Sequence, residues 1–206
     1  MITSYLDLMA SGFPVERAVR VVRHEVGHWI VGQYHGFKSG PIEITMLRGD
    51  GHRGSAQIET DCDLRSVELL DSYLRRRIST LFAGALAESL GEDGKVNNQY
   101  AARELEIGGA QNDHKGIREL LRVLRGMTFG APPSDETKAN KQLQTLSDDI
   151  WKDTAEIIET NHELIGELTR TIMERAEKVD KKFGYRAPTF RKIPALAAWI
   201  ESLPKH

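Results

Sequence analysis

The stretch Arg23-His24-Glu25-Val26-Gly27-His28-Trp29 has the pattern H-E-x-x-H. Positions four apart lie on one face of an α-helix, one turn from each other. If this stretch is helical, His24 and His28 can therefore bind the same metal ion, with Glu25 beside them. Zinc suits two imidazoles and a carboxylate, with one coordination position left for water. Glu25 is then the candidate general base, because it can take a proton from water that the metal has made more acidic.

The residues around the motif favour a helix. Apolar residues recur at helical spacing on both sides of it, at Val15, Ala18, Val19, Val22, Val26, Trp29 and Ile30. Pro14 is typical of the first turn of a helix, and Gly36 is typical of the position just after a helix ends. We therefore predict a helix from about Pro14 to Tyr34. This context favours a metal site over the alternative, which is a structural helix that carries two surface histidines.

The composition excludes several other classes of protein. The chain has 206 residues and a net charge of −2, which suits one domain and gives no indication of a nucleic-acid partner. Cys62 is its one cysteine, so intrachain disulfides and cysteine-based zinc sites are excluded, and a reducing, cytoplasmic setting is expected. The start of the sequence has no signal-peptide pattern. No apolar run approaches the roughly 20 residues that span a bilayer, so no membrane insertion is expected.

Residues 41–60 change from the helical period to alternation. Apolar residues alternate with polar ones at Ile42, Ile44 and Met46, which predicts a strand. Residues 47–53 are predicted to turn, and Gly54–Glu59 can pair back as a second strand. This hairpin, near residues 42–59, has two open interpretations. It either shields the core, or presents an edge strand beside the metal to which an extended peptide can add.

A second long helix is predicted to follow and to end near Gly91. Asp61 or Asp63 can cap its start. Its predicted buried stripe is Leu64, Val67, Leu70, Leu74, Ile78, Leu81, Ala85 and Leu86. Glu88 is a charged residue in a helical turn whose other residues are mostly small and apolar. Its carboxylate either points to solvent or hydrogen-bonds the far nitrogen of a metal-binding histidine.

Residues 91–109 are polar and are predicted to form an irregular connector. A third helix is predicted from about Asn112 to Arg125, with Asp113 in its first turn. Asp113 is either an ordinary acid at a helix start, where the helix dipole favours it, or the third metal ligand. Residues 1–13 are predicted to form a short amphipathic turn over the core.

Three segments resemble, in order, the peptidase domain of the FtsH-type AAA+ zinc proteases. That family carries an H-E-A-G-H helix, a later helix of the type G-[GR]-x-A-E-E, and the motif G-A-[SQ]-N-D. The corresponding segments here are His24–His28, Ala83–Glu88 and Gly109–Asp113, and the wider resemblance covers roughly residues 15–178. Val26 replaces the usual alanine, which a helix tolerates.

The resemblance implies a zinc site and a role for each of its residues. His24, His28 and Asp113 would be the zinc ligands and Glu25 the catalytic base. Glu88 would lie beside a ligand histidine. The implied function is a stand-alone zinc-dependent endopeptidase, ATP-independent in itself, that acts on unfolded or flexible polypeptides.

The resemblance also implies a mainly α fold with an FtsH-like peptidase architecture. Residues 1–206 would form one domain, with a metal-site half over 14–130 and a C-terminal helical part over 135–206. The latter would contain a helical hairpin within residues 147–179. The sequence contains neither an AAA+ module nor transmembrane helices, so folded substrates would need an unfoldase or delivery protein acting in trans. Residues 180–206 have an apolar face and no assigned role.

Two alternatives stay open at this point. In the first, Glu88 is the third metal ligand, as in the gluzincins, and Asp113 is not. In the second, the chain is a protease-like adaptor or regulator that binds metal or unfolded peptide without cleaving it. The intact set of Glu25, both histidines and Asp113 favours an enzyme.

Overall fold

Most described residues are helical. The computed structural model describes residues 8, 9, 12–49, 51–131 and 133–204. Their elements in chain order are α1 (Val15–Tyr34), β1 (Lys38–Met46), β2 (His52–Glu59), α2 (Val67–Glu88), α3 (Asn98–Ile107), α4 (Gln111–Phe129), α5 (Glu136–Thr160), α6 (His162–Met173), β3 (Lys182–Tyr185), α7 (Ala187–Phe190) and α8 (Pro194–Ser202). The expected mainly α class with a small β element is confirmed. The FtsH-like architecture stays a prediction.

Helix α1 is the central element. Its apolar stripe is buried, with no exposed surface on Ala18, Val22, Val26, Trp29 and Ile30. It packs against α2, α6 and the hairpin of β1 and β2. The contact with α2 is especially close at Gly27, because a Cβ there would lie 2.5 Å from both the Ala83 carbonyl oxygen and the Ala87 Cβ. The two helices can therefore approach this closely only with a glycine at position 27.

The sheet has the order β2-β1-β3, and both of its strand pairs are antiparallel. Ile42, Ile44 and Met46 of β1 are fully buried, as the alternation in the sequence predicts. The hairpin near residues 42–59 is confirmed. Strand β3 was not predicted, and it pairs with β1 so that Ile42 lies opposite Tyr185. This sheet therefore joins the segment 14–130 to the segment 135–206.

Helix α2 begins later than predicted. Its cap is Ser66, whose side chain accepts a hydrogen bond from the backbone N–H three residues on, rather than Asp61 or Asp63. The Asp63 carboxylate pairs instead with the arginine two residues further along. Leu64 lies before the helix and Val67 begins it, and the two residues are 42% and 66% exposed. The predicted stripe is buried only from Leu74 onward.

Helix α3 corrects the prediction of an irregular connector over residues 91–109. The Asn97 side chain caps it by accepting a hydrogen bond from the Tyr100 N–H at 3.0 Å. Ala101 and Leu105, one turn apart, are its buried residues. Two apolar positions in a ten-residue helix give too weak a period to detect in a polar segment.

The C-terminal elements cover the central helix. The hairpin predicted within residues 147–179 is formed by α5 and α6, although α5 already starts at Glu136. Phe190, in the tail, packs edge-on against Trp29 with ring centroids 5.1 Å apart. Of the turn predicted over residues 1–13, residues 1–7, 10 and 11 lie outside the described part of the chain. No helix in the described ranges is long and apolar enough to cross a bilayer.

The close approach at Gly27 predicts a stability difference between two glycine substitutions. Gly27→Ala would push a methyl group into α2, so we expect a loss of about 1–3 kcal/mol in the free energy of unfolding. Gly126→Ala is the control, because Gly126 lies within a helix and has no heavy atom within 4 Å of its added Cβ. Removing a helical glycine there should stabilise the fold by about 0.5–1 kcal/mol. Urea unfolding followed by circular dichroism measures both, and equal midpoints would contradict the packing described.

Candidate metal centre

Two histidines and one aspartate bring their side chains together at one point. His24 and His28 lie one turn apart on α1, and Asp113 lies in the first turn of α4. The two Nε2 atoms are 3.0 Å apart, and the Asp113 Oδ2 lies 3.2 Å from one and 3.3 Å from the other. Donor atoms held tetrahedrally at zinc bond lengths are separated by roughly 3.3 Å. The spacing of this group, found among the described residues, therefore fits a metal ion.

The outer nitrogen of each ring has a partner that orients it. The His28 Nδ1 lies 2.7 Å from the carbonyl oxygen of Thr80. A carbonyl only accepts, so Nδ1 carries the proton and donates it, which leaves the Nε2 lone pair free for a metal. The His24 Nδ1 lies 3.3 Å from the Glu88 Oε2. Both rings therefore present Nε2 toward Asp113.

Glu88 lies behind the site rather than in it. Its carboxylate contacts the far nitrogen of His24, whereas Asp113 contacts the two Nε2 atoms. The Tyr100 hydroxyl donates a hydrogen bond to the other Glu88 oxygen at 3.1 Å. Burial and the nearby carboxylates of Glu88 and Glu104 raise the pKa of Tyr100 to about 12, so it stays a donor at neutral pH. No sequence motif marks Tyr100, because it lies in a polar segment whose helical period is weak.

A glycine in α2 leaves the space that the two rings occupy. A Cβ at Gly84 would lie 2.5 Å from the Nε2 of His24 and 2.6 Å from that of His28. Any larger residue at this position would displace the atoms that face Asp113. The α2 segment that resembles the FtsH-type motif thus contributes both this glycine and Glu88.

The charges at this site favour a bound cation. Burial lowers the pKa of His24, but hydrogen bonds with Asp113 and Glu88 and the charge of Glu25 outweigh it and raise the pKa to about 10. Burial opposes the charge of Asp113 as well, but the neighbouring His28 and His24 hold the pKa of its carboxyl well below the usual range. In the metal-free protein His24 is therefore protonated at pH 7. Metal binding must displace that proton.

Glu25 is a buried carboxylate that no described residue engages in a hydrogen bond or an ion pair. Its side chain lines the same cavity as the two histidines, and only 8% of the residue is exposed. Gly54 of β2 packs directly against it, because a Cβ at that position would overlap the carboxylate. Both oxygens are thus available as acceptors for a water molecule in the cavity.

The cavity has a volume of about 770 Å³. Its walls come from α1, β2, the end of α2, α3 and the start of α4. Strand β2 pairs only with β1 among the described strands, so it is an edge of the sheet. The interpretation of the hairpin as an edge strand beside the metal-ligand group therefore agrees with the structure. That a peptide binds to this edge stays a prediction.

A larger groove of about 1050 Å³ lies along β3, away from this cavity. It is lined by charged residues of both signs, some of them already paired, such as Lys182 with Glu43 at 2.9 Å. It holds none of the predicted site residues. The smaller cavity is the better candidate for a functional site, because it contains the two histidines, Asp113 and Glu25.

No model of a known protein family matches this chain, and no curated protein matches it. The resemblance to the FtsH-type peptidases therefore rests on the three sequence motifs. The assignment of His24, His28 and Asp113 as ligands, of Glu25 as base and of Glu88 as a supporting residue stays a prediction.

The different positions of Asp113 and Glu88 predict different losses of metal. Asp113→Ala removes the oxygen that lies beside both Nε2 atoms, so we expect most of the bound zinc to be lost. Glu88→Ala removes only a partner of an outer nitrogen, which typically weakens metal affinity about 10–100-fold, so most zinc should remain at saturating metal. Metal analysis of the purified variants measures both. The opposite ranking would make Glu88 the third ligand.

The raised pKa of His24 predicts that metal binding depends on pH. Because His24 holds a proton up to about pH 10 in the metal-free protein, zinc uptake at pH 7 must release it. One released proton makes the apparent zinc affinity rise about tenfold per pH unit between about pH 6.5 and 8. Calorimetry in two buffers of different ionisation enthalpy counts the released protons. A flat affinity with no proton release would show that His24 is neutral before the metal binds.

Proposed function

We propose that this protein is a zinc-dependent endopeptidase that cleaves unfolded or flexible polypeptides and is ATP-independent in itself. One observation carries the proposal. Two imidazole nitrogens and a carboxylate oxygen lie within 3.0–3.3 Å of one another, beside the unengaged Glu25 carboxylate. This combination of a cation site with a neighbouring base is what metal-assisted hydrolysis of a peptide bond requires.

Each group has a distinct task in the proposed reaction. When bound, zinc supplies Lewis-acid chemistry, making water more acidic and polarising a carbonyl oxygen. Glu25 accepts a proton from the water whose oxygen attacks the carbonyl carbon. As the C–N bond breaks, Glu25 returns that proton to the leaving nitrogen. His24 and His28 stay fixed through these steps by the hydrogen bonds of their outer nitrogens.

The edge strand indicates the class of substrate. An extended peptide that adds to β2 would be recognised through its backbone, so cleavage would depend little on most side chains. Only an unfolded or flexible segment can present its backbone in this way. We therefore include among the proposed partners an unfoldase or delivery protein that acts in trans.

The proposed setting is the cytoplasm, without a nucleic-acid partner. Cys62 is the one cysteine and is free, which suits a reducing compartment. The net charge of −2 offers no general attraction to a polyanion.

Cleavage of casein, an unfolded protein, tests the proposal. We expect one zinc per chain and cleavage that a chelator abolishes and added zinc restores. Glu25→Gln should keep its zinc and lose about 10²–10⁴-fold in cleavage rate, because a general base contributes that much. Glu16→Gln, a neutralised carboxylate on an exposed position of α1, is the matched control and should cleave like the parent.

The contrary outcomes are equally informative. Zinc binding without cleavage of casein would support the adaptor or regulator alternative. Full activity in Glu25→Gln would remove Glu25 from the reaction, and a protein that binds no metal would overturn the metal centre itself.

A further inference from the structure

His52 lies on the face of β2 that covers the site. In the register of the hairpin, His52 lies opposite Met46 and Gly54 lies opposite Ile44, and both of these partners are fully buried. Side chains two residues apart on a strand point to the same side. His52 therefore points to the side on which Gly54 meets the Glu25 carboxylate, roughly 7 Å further along the strand.

The imidazole of His52 reaches across the cavity to the start of α4. Its Cε1 lies 3.8 Å from the position of a Cβ on Gly109, a residue four positions before Asp113. The ring thus lies between the edge strand and the turn that leads into α4, and it lines the same cavity as His24 and Glu25. No described residue hydrogen-bonds to its ring nitrogens.

Three other hydrogen-bond donors near the site already have partners. The outer nitrogen of His28 donates to Thr80, that of His24 faces Glu88, and the Tyr100 hydroxyl donates to Glu88. Partial burial and the charge of Arg17 lower the pKa of His52, so at neutral pH it is an uncharged imidazole with one N–H. Such a group can donate a hydrogen bond without repelling a cation in the site.

A donor of this kind would accelerate the proposed peptide hydrolysis. As water attacks, the electron pair of the carbonyl π bond moves to the carbonyl oxygen, which becomes negatively charged. A donor placed beforehand near that oxygen is worth about 10²–10³-fold in kcat. Arg20 and Asn112 also line the cavity. The alternative role for His52 is a hydrogen bond to solvent alone.

We propose that His52 is a further catalytic residue, whose ring N–H donates a hydrogen bond to the carbonyl oxygen of the scissile bond as that oxygen gains charge. The inference rests on the proposed peptide hydrolysis. It adds a third function to the edge strand, which would align the peptide, cover Glu25 and supply this donor. No proton is transferred by His52, because the proton of the attacking water goes to Glu25.

The experiment compares His52→Leu, which removes the donor, with His52→Gln, which keeps an N–H donor. The control is His162→Leu, the same replacement at an exposed histidine that does not line the cavity. Three quantities are measured on the zinc-loaded proteins. They are the zinc content, kcat and KM for a fluorogenic peptide cut from the casein sequence, and the Kd of a phosphinic peptide, whose tetrahedral phosphorus and charged oxygens imitate the attacked carbonyl.

We expect His52→Leu to keep its zinc and its KM within about threefold. Its kcat should fall about 10²-fold, and its affinity for the phosphinic peptide should fall by a similar factor. His52→Gln should recover part of both losses, and His162→Leu should match the parent. A second comparison, of peptide binding in the Glu25→Gln background with and without His52→Leu, should show equal affinities, since the uncharged carbonyl needs the donor little.

Three results would overturn the inference. They are an unchanged kcat and an unchanged phosphinic-peptide Kd in His52→Leu, a change confined to KM, or a loss of zinc. Failure of the proposed function gives a different pattern, in which the zinc-loaded parent neither cleaves casein nor binds the phosphinic peptide. A parent that cleaves, with a His52→Leu variant that cleaves equally well, removes only the role of His52.

Discussion

The close contact between α1 and α2 is the constraint on which the site depends. Gly27 lets α2 approach α1, and Gly84 leaves room for the histidine rings between the two helices. At this distance the carbonyl of Thr80 reaches the outer nitrogen of His28, and Glu88 reaches that of His24. An oriented pair of imidazoles is therefore a product of helix packing, and larger side chains at either glycine would move the donor atoms apart.

The electrostatics of the site follow from the burial of two carboxylates beside one imidazole. Asp113 and Glu88 lie on opposite sides of His24, and each is largely withdrawn from water. Two carboxylates around one imidazole favour a positive charge there, supplied by a proton in the metal-free protein. A divalent cation held by the two histidines and Asp113 would compensate the same carboxylates and would allow both rings to be neutral. The position of Asp113 in the first turn of α4 adds the favourable end of a helix dipole to the stability of its anionic form.

The sequence predicted those parts of the fold whose signal is local. The H-E-x-x-H helix and the alternation around Ile44 depend on periodicity within a single element, and both appear as expected. The sequence does not predict β3, because its four residues form a strand only by pairing with β1. Strand β1 lies about 140 residues earlier in the chain. Tyr100 and His52 were missed for a related reason. Their place in the cavity is set by how α3 and β2 pack, and no short motif records such a contact.

Strand β2 forms the wall of the cavity that contacts Glu25. Among the described strands it pairs only with β1, while its inner face carries Gly54 against Glu25 and His52 toward Gly109. On the proposed function, a peptide in register with β2 has its carbonyls at fixed positions relative to the base, because the strand that aligns the peptide also touches that base. The lack of a side chain at Gly54 is then necessary for two reasons. It allows β2 to pack against Glu25, and it leaves the carboxylate oxygens accessible to water in the cavity.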